Sequence, residues 1–285
     1  MTTQAPIAVT GVTGVVGGLV ARELAARGIP QRLLARSPER APVLPGSTVH
    51  QADYRDQDAA REALEGVETL FMVSAAETAD RRDEHIAFVD AALAAGVQRI
   101  VYTSFLAAAP DSIFTLGRDH HATEEHIAAS GLEWTFLRDN LYTDFVENLV
   151  GEDGVIRGPA GTGRVSVVAR ADVARSAVAV LADPAAHAFR RYDLTGPQAI
   201  TLEEAAATIS RVRGHEVRFE NETVEEAYAS RAHYGAPAWQ VDAWVSTYTA
   251  IASGALAAVS PDVEALTGSR PVSLEEYLRG VSPAR

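Results

Sequence analysis

The chain contains no cysteine. Disulfides, iron–sulfur ligation and thiol nucleophiles are excluded. It contains no lysine either: all 25 basic residues are arginine. A Walker A loop needs a lysine on its phosphates and a pyridoxal Schiff base needs a lysine amine, so both chemistries fall. No apolar run reaches the ~18 residues that cross a bilayer, and no membrane contact is expected. Met1–Val9 has neither a basic flank nor a cleavage pattern, so it reads as the start of a strand, not a signal peptide, and the cytoplasm is the expected compartment. Positive charge is in the minority, leaving a net charge of −13. Such a surface repels phosphate backbones, and no nucleic-acid partner is expected.

What is present is a rhythm. Of 285 residues 47% are hydrophobic, enough for a large core. Short β-prone runs alternate with helical patterns: strands at Ile7–Thr10, Arg32–Arg36, Val49–Tyr54, Thr69–Ser74, Arg99–Ser104 and Trp134–Arg138, and helices at Val15–Arg27, Asp58–Leu64, Asp83–Ala95 and Ala122–Ser130. This is the signature of βαβ units, and the expected fold is α/β, a Rossmann-type doubly wound parallel sheet with a smaller C-terminal substrate lobe. Residues 1–150 form the dinucleotide-binding core, 165–197 return to it with a strand at Arg191–Leu194, and 198–285 form the mostly helical lobe. Within the second half, Gly151–Gly163 reads as an exposed turn or hairpin. Asp172 reads as the cap of a helix through Leu181, and Thr201 with Glu204 as a capping box for a helix to Val212.

The first strand runs into Gly11-Val12-Thr13-Gly14-Val15-Val16-Gly17, a G-x-x-G-x-x-G turn one residue longer than the usual dinucleotide fingerprint. Its glycines permit the turn, the approach of a diphosphate and close helix–strand packing, and the helix that follows aims free N–H groups at phosphate. About twenty residues on, where an NAD site carries an acid for the ribose hydroxyl, stands Arg36 with Ser37, and no acidic residue lies between Gly28 and Pro38. A guanidinium matches a 2′-phosphate, so the expected cofactor is NADPH, with a surface arginine as the plainer alternative. Asp53, Tyr54 and Ser74 end the next strands and would line the same crevice; Asp53 reads equally well as a helix cap. His120-His121 with Glu124, Glu125 and His126 places imidazoles and carboxylates at helical spacing, but no further ligand set accompanies them and no metal is assigned.

With these motifs in place the chain resembles the NmrA-like group of atypical short-chain dehydrogenases/reductases, and within it the type 2 NADPH:quinone oxidoreductases and the triphenylmethane reductases. The segments that carry the likeness are Thr10–Gly17, Ala35-Arg36, Gln51–Tyr54, Tyr102-Thr103-Ser104, His120–Glu124, Phe136–Phe145 and Val165–Ala174. The resemblance implies phosphate binding by Gly11, Thr13, Gly14, Val15, Val16 and Arg36, adenine beside Asp53 and Tyr54, and Ser74, Thr103, Ser104 and Asn140 at the nicotinamide end. Two departures stand out: Glu125 where the quinone reductases carry lysine, and Val15 where relatives commonly carry glutamine.

The typical Tyr-x-x-x-Lys acid of short-chain dehydrogenases cannot exist here. A carbonyl substrate would lack its proton source, whereas a quinone yields a delocalised phenolate and a dye cation becomes neutral. The expected function is therefore hydride transfer from NADPH to a small conjugated acceptor such as a quinone or dye, with His120 and Tyr142 as candidate supporting acids. The alternative is an NmrA-like redox sensor that binds NADP(H) without turnover. A homodimer is the assembly to test.

Overall fold

The computed structural model describes residues 7–280, so the Met1–Pro6 part of the expected N-terminal strand lies outside the described residues. The strands are β1 (Ile7–Val9), β2 (Gln31–Ala35), β3 (Ser47–Gln51), β4 (Thr69–Met72), β5 (Arg99–Phe105), β6 (Glu133–Asp139), β7 (Val155–Gly158), β8 (Arg164–Val165), β9 (Arg190–Leu194), β10 (Ile200–Thr201) and β11 (Arg218–Asn221). The helices are α1 (Val15–Ala26), α2 (Gln57–Leu64), α3 (Arg81–Ala94), α4 (Thr115–Ala129), α5 (Thr143–Asn148), α6 (Arg170–Ala182), α7 (Leu202–Arg213), α8 (Val224–Arg231), α9 (Ala238–Ala252), α10 (Asp262–Thr267) and α11 (Leu274–Leu278).

Seven strands form one sheet in the order β3-β2-β1-β4-β5-β6-β9. The pairs β1–β2, β1–β4, β2–β3 and β4–β5 are parallel, with Val9 opposite both Leu33 and Phe71. This is the doubly wound order. The winding reverses on either side of β1, and ligands of such sheets bind outside the carboxyl ends of the strands at that reversal. Strands buried on both faces need apolar residues throughout, which is why β4 reads Thr-Leu-Phe-Met with every residue buried.

The chain divides into two compact units. Among the described residues, the first comprises 7–104, 119–138 and 173–192; the second comprises 105–118, 139–172 and 193–280. The first has a core of Leu64, Leu70, Met72, Phe88, Ile100 and Phe136. The second has its own, with Val146, Ile156, Val165, Leu202, Ile251 and Leu256, and two small sheets: β8 with β10 antiparallel, and β7 with β11 parallel.

Several local expectations need correction. Residues 151–163 are not an exposed turn or hairpin. They contain β7, whose Val155 and Ile156 are buried and which pairs with β11 far along the chain. Asp172 does not cap α6, which begins at Arg170; its buried carboxylate accepts the Val272 N–H at 2.7 Å instead. Helix α4 starts seven residues before the expected Ala122, at Thr115, whose N–H is taken by the Ser246 hydroxyl at 3.1 Å. The capping box of Thr201 and Glu204 is present, and α7 ends at Gly214 in the left-handed conformation.

Candidate cofactor site

A cleft opens in the first unit at the carboxyl ends of β1, β2, β3 and β4. Its walls include Thr10, Gly11, Thr13, Arg36, Asp53, Tyr54 and Ser74. All seven come from positions singled out in the sequence, and the sheet brings them together because they follow four neighbouring strands: Thr10, Gly11 and Thr13 after β1, Arg36 after β2, Asp53 and Tyr54 after β3, and Ser74 after β4.

The glycine loop has the geometry its spacing implies. Gly11 turns the chain at φ +64°, and a side chain there would meet Val73. A Cβ on Gly17 would stand 2.4 Å from both the Thr10 and Gly11 carbonyl oxygens, so only glycine lets α1 pack this closely on β1. Gly14 is the N-cap of α1 and supplies no side-chain cap, and the first turn carries no acidic residue. The N–H groups of Val15, Val16 and Gly17 therefore point out of the helix end without an intrahelical partner, a ready anion site. Val15 is 54% exposed, while Val16 is buried and offers only its backbone.

Arg36 follows β2 and is exposed on the cleft. No acidic side chain among the described residues pairs with its guanidinium, in a chain where most arginines are paired. Asp53 accepts the Arg55 N–H at 3.1 Å, and the cap of α2 is Asp56, which accepts the Ala59 N–H. Of the two readings of Asp53, the cap is thereby removed. An unpaired cation, an uncapped helix N-terminus and a side-chain-free approach together fit a dinucleotide with an extra phosphate.

Tyr54 is locked. Its hydroxyl donates to the Val73 carbonyl at 2.6 Å, which leaves Thr10 Oγ1 as the donor to Tyr54 Oη at 2.7 Å, and Thr10 Oγ1 accepts the Val73 N–H at 2.8 Å. The ring stacks on Phe88 at 4.1 Å. Burial raises the phenol pKa far above its ordinary value, so Tyr54 stays neutral. Ser74 donates its N–H to Thr103 Oγ1 at 2.8 Å. Thr103 is thus a prop behind the cleft. Ser104 is another, its hydroxyl donating at 2.6 Å to buried Glu124, which Arg138 also holds.

The remaining candidates are elsewhere. Asn140 lies in the second unit, 1% exposed, with its amide donating to Ser166 Oγ and the Leu256 carbonyl and accepting from the Leu141 N–H. Tyr142, also in the second unit, is half-buried; its hydroxyl donates to Asp139 at 2.5 Å and Arg170 lies over its ring. His120 is in the first unit but buried. Arg81 Nη2 donates to its Nε2 at 2.9 Å, so Nδ1 carries the proton and meets Tyr102 Oη at 3.0 Å. Burial first, then the charge of Arg81, holds its pKa well below the usual histidine value. A neutral ring with both nitrogens engaged is a brace.

The family follows from a match to residues 11–184 of a family model described as NAD(P)H-binding. The chain belongs to the NAD(P)H-binding family. Quinone oxidoreductase 2 of Escherichia coli is 34% identical over 280 residues, 95% of this chain and 96% of that protein. Its structure with NADPH superposes with a TM-score of 0.88, covering 96% of this chain and 99% of that one. A (4-alkanoyl-5-oxo-2,5-dihydrofuran-3-yl)methyl phosphate reductase of Streptomyces griseus is 39% identical over 271 residues, 92% of this chain and 93% of that protein. The triphenylmethane reductase of Citrobacter, solved with NADP(H), is 33% identical with a TM-score of 0.85, covering 97% and 100%. These three are named reductases or oxidoreductases, and the two solved complexes hold NADPH or NADP(H), the cofactor expected from Arg36.

Residues the sequence reading missed sit behind the cleft and around its rim. Arg55 pairs with Glu84 at 2.8 Å, and Thr78 donates to the same carboxylate at 3.1 Å. Arg81, His85 and Tyr102 form a buried polar cluster with His120. A signal existed: Arg81, His85, Phe88, Val89 and Ala92 fall on one face of α3, so two polar residues stand in a core stripe.

Proposed function

We propose that the first-unit cleft takes NADPH and that the chain reduces a small conjugated acceptor of the quinone or dye class. The observation that carries the cofactor half is the unpaired guanidinium of Arg36 beside the open N-terminus of α1. In this reading the backbone of Gly11–Gly17 and the side chain of Thr13 hold the diphosphate, Arg36 grips the 2′-phosphate, and Asp53 and Tyr54 border the adenosine. Ser74 borders the nicotinamide end. Thr103 accepts the Ser74 N–H, Ser104 holds the Glu124 carboxylate and Asn140 accepts the Leu141 N–H, so each acts by positioning its neighbours.

When bound, the dinucleotide supplies a hydride. The protein's part is to hold an acceptor flat in line with it and to keep water away. With no lysine in the chain, acceptors whose reduced form is a stable anion or a neutral molecule suit it best. Similarity to reductases of quinones, a furanone phosphate and triphenylmethane dyes supports this class. Tyr142, whose hydroxyl is held by Asp139, is the supporting acid of this reading, and Tyr142→Phe is expected to lower kcat by less than about tenfold while leaving NADPH affinity unchanged.

The test is spectrophotometric: loss of NADPH or NADH absorbance against a panel of quinones, azo dyes and triphenylmethane dyes. Consumption of NADPH well ahead of NADH with at least one class is expected. Binding of NADPH with no consumption by any acceptor would establish the sensor alternative instead.

A further inference from the structure

Two side chains from one face of α3 grip the backbone of a single residue of the cleft wall from both ends. Arg81 and His85 are four residues apart, hence neighbours on the helix surface. The Ala75 N–H donates to His85 Nε2 at 2.8 Å, and Arg81 Nε donates to the Ala75 carbonyl at 3.0 Å. Ala75 lines the cleft and has no polar side chain with which to place itself.

The protons are fixed by what each group can do. A backbone N–H only donates, so His85 Nε2 is unprotonated and Nδ1 carries the hydrogen. Nδ1 donates to Thr123 Oγ1 at 2.9 Å, and that hydroxyl donates to the Asp119 carbonyl at 2.8 Å. Arg81 is held in turn by His120 at 2.9 Å and the Asp119 carboxylate at 3.5 Å. His85 is fully buried and Arg81 is 4% exposed. None of these contacts is needed to close the sheet: they lie beyond the end of β4.

We propose that His85 is a positioning residue for the bound dinucleotide, acting through the Ala75 N–H and only in its neutral, Nδ1-protonated form. The proposal rests on the reading that the cleft takes NADPH. A second proton on the ring places a donor at Nε2 against the Ala75 donor, and the bond becomes a repulsion that releases the wall. The groups that face His85 are Arg81 and Glu84 on its own helix, Tyr54 with its ring edge-on at 6.0 Å, Tyr102 of β5 with its hydroxyl 3.4 Å from Nδ1, and His120 and Asp119 of α4 behind Tyr102 and Thr123. Burial and the charge of Arg81 keep the imidazole neutral well below its ordinary titration range, so the wall is set at neutral pH and released on acidification.

The experiment is fluorescence titration of NADPH onto the full-length protein from neutral to acid pH, for the wild type, His85→Ala and His85→Gln. Glutamine offers an acceptor to Ala75 and a donor to Thr123 but does not titrate. At neutral pH His85→Ala is expected to weaken NADPH about tenfold, the worth of one buried hydrogen bond, and His85→Gln to recover most of that loss. On acidification the wild type should lose more affinity than His85→Gln. The cofactor's own phosphate titrates near pH ~6 in both and cancels in the ratio. Equal neutral affinity of His85→Ala and the wild type, or equal acid losses of His85→Gln and the wild type, overturns the proposal. Should His85→Ala fail to fold, the His85→Gln ratio alone decides. No NADPH uptake by the wild type sinks the cofactor reading itself, a separate outcome.

Discussion

The same cleft has two kinds of wall. The glycine loop after β1 keeps its helix-end N–H groups unpaired and uses almost no side chains. The segment after β4 does the opposite: the N–H groups of Val73, Ser74 and Ala75 are each taken by a side chain, Thr10, Thr103 and His85 in turn. One wall is a set of free donors; the other is a surface whose backbone N–H groups are already satisfied, so that it can be held still. The proposed function, which binds charge at one end and holds a flat ring at the other, calls for both.

The contrast can be broken most severely at Gly17. Gly17→Ala puts a Cβ 2.4 Å from two backbone oxygens, and is expected to cost about 3 kcal/mol, the upper part of the overpacking range, with NADPH binding lost. Gly14→Ala, where the nearest contact is 3.3 Å, should lower dinucleotide affinity with little change in melting temperature. Next in size, Arg36→Ala is expected to weaken NADPH by roughly 10–100-fold, the loss of a charge-assisted contact, and to leave NADH unchanged. Calorimetry with both dinucleotides checks this, and equal losses for the two would remove the 2′-phosphate assignment.

The satisfied wall is probed by Thr10→Val, which keeps the volume but leaves the Val73 N–H and Tyr54 hydroxyl each short of a partner. Urea denaturation should show a loss of about 1–3 kcal/mol. Thr13→Val, in the exposed loop, should stay within about 0.5 kcal/mol in stability while weakening NADPH. The smallest effect under ordinary assay conditions is that of pH. His85 and His120 stay neutral in the folded state at pH values where unfolded imidazoles, titrating near 6.5, bind a proton. Their contribution to stability is complete above that pH and is lost as pH falls through the depressed folded values. Thermal melts of the wild type from neutral to acid pH should decline more steeply than those of His85→Gln.

The open wall was legible in the sequence and the satisfied one was not. Gly11, Gly14 and Gly17 are spaced by local geometry, and Arg36 stands a fixed distance along the next strand, so residues close in sequence define that half of the site. Thr10, Thr103 and His85 meet the β4 end from three different elements, and only the sheet order brings them there. The interchange at Gly151–Gly163 has the same cause: glycine and proline mark a turn locally, yet partner strand β11 lies some sixty residues on. His120 shows the limit for single side chains. Its type and its place in a family-like segment suggested acid chemistry, but Arg81 and burial make it a neutral brace.

The sequence by itself determined the α/β class and the glycine loop, and it carried the expectation of NADPH and, with the missing lysine, of a conjugated acceptor. These follow from residue chemistry and short-range spacing, which need no fold to be read. Only the tertiary structure decided which polar residues hold the cleft wall and which remain free to meet a ligand. A hydrogen bond's partner depends on where distant segments come to rest, and burial decides whether a titratable ring is charged; neither is written in any local stretch of chain.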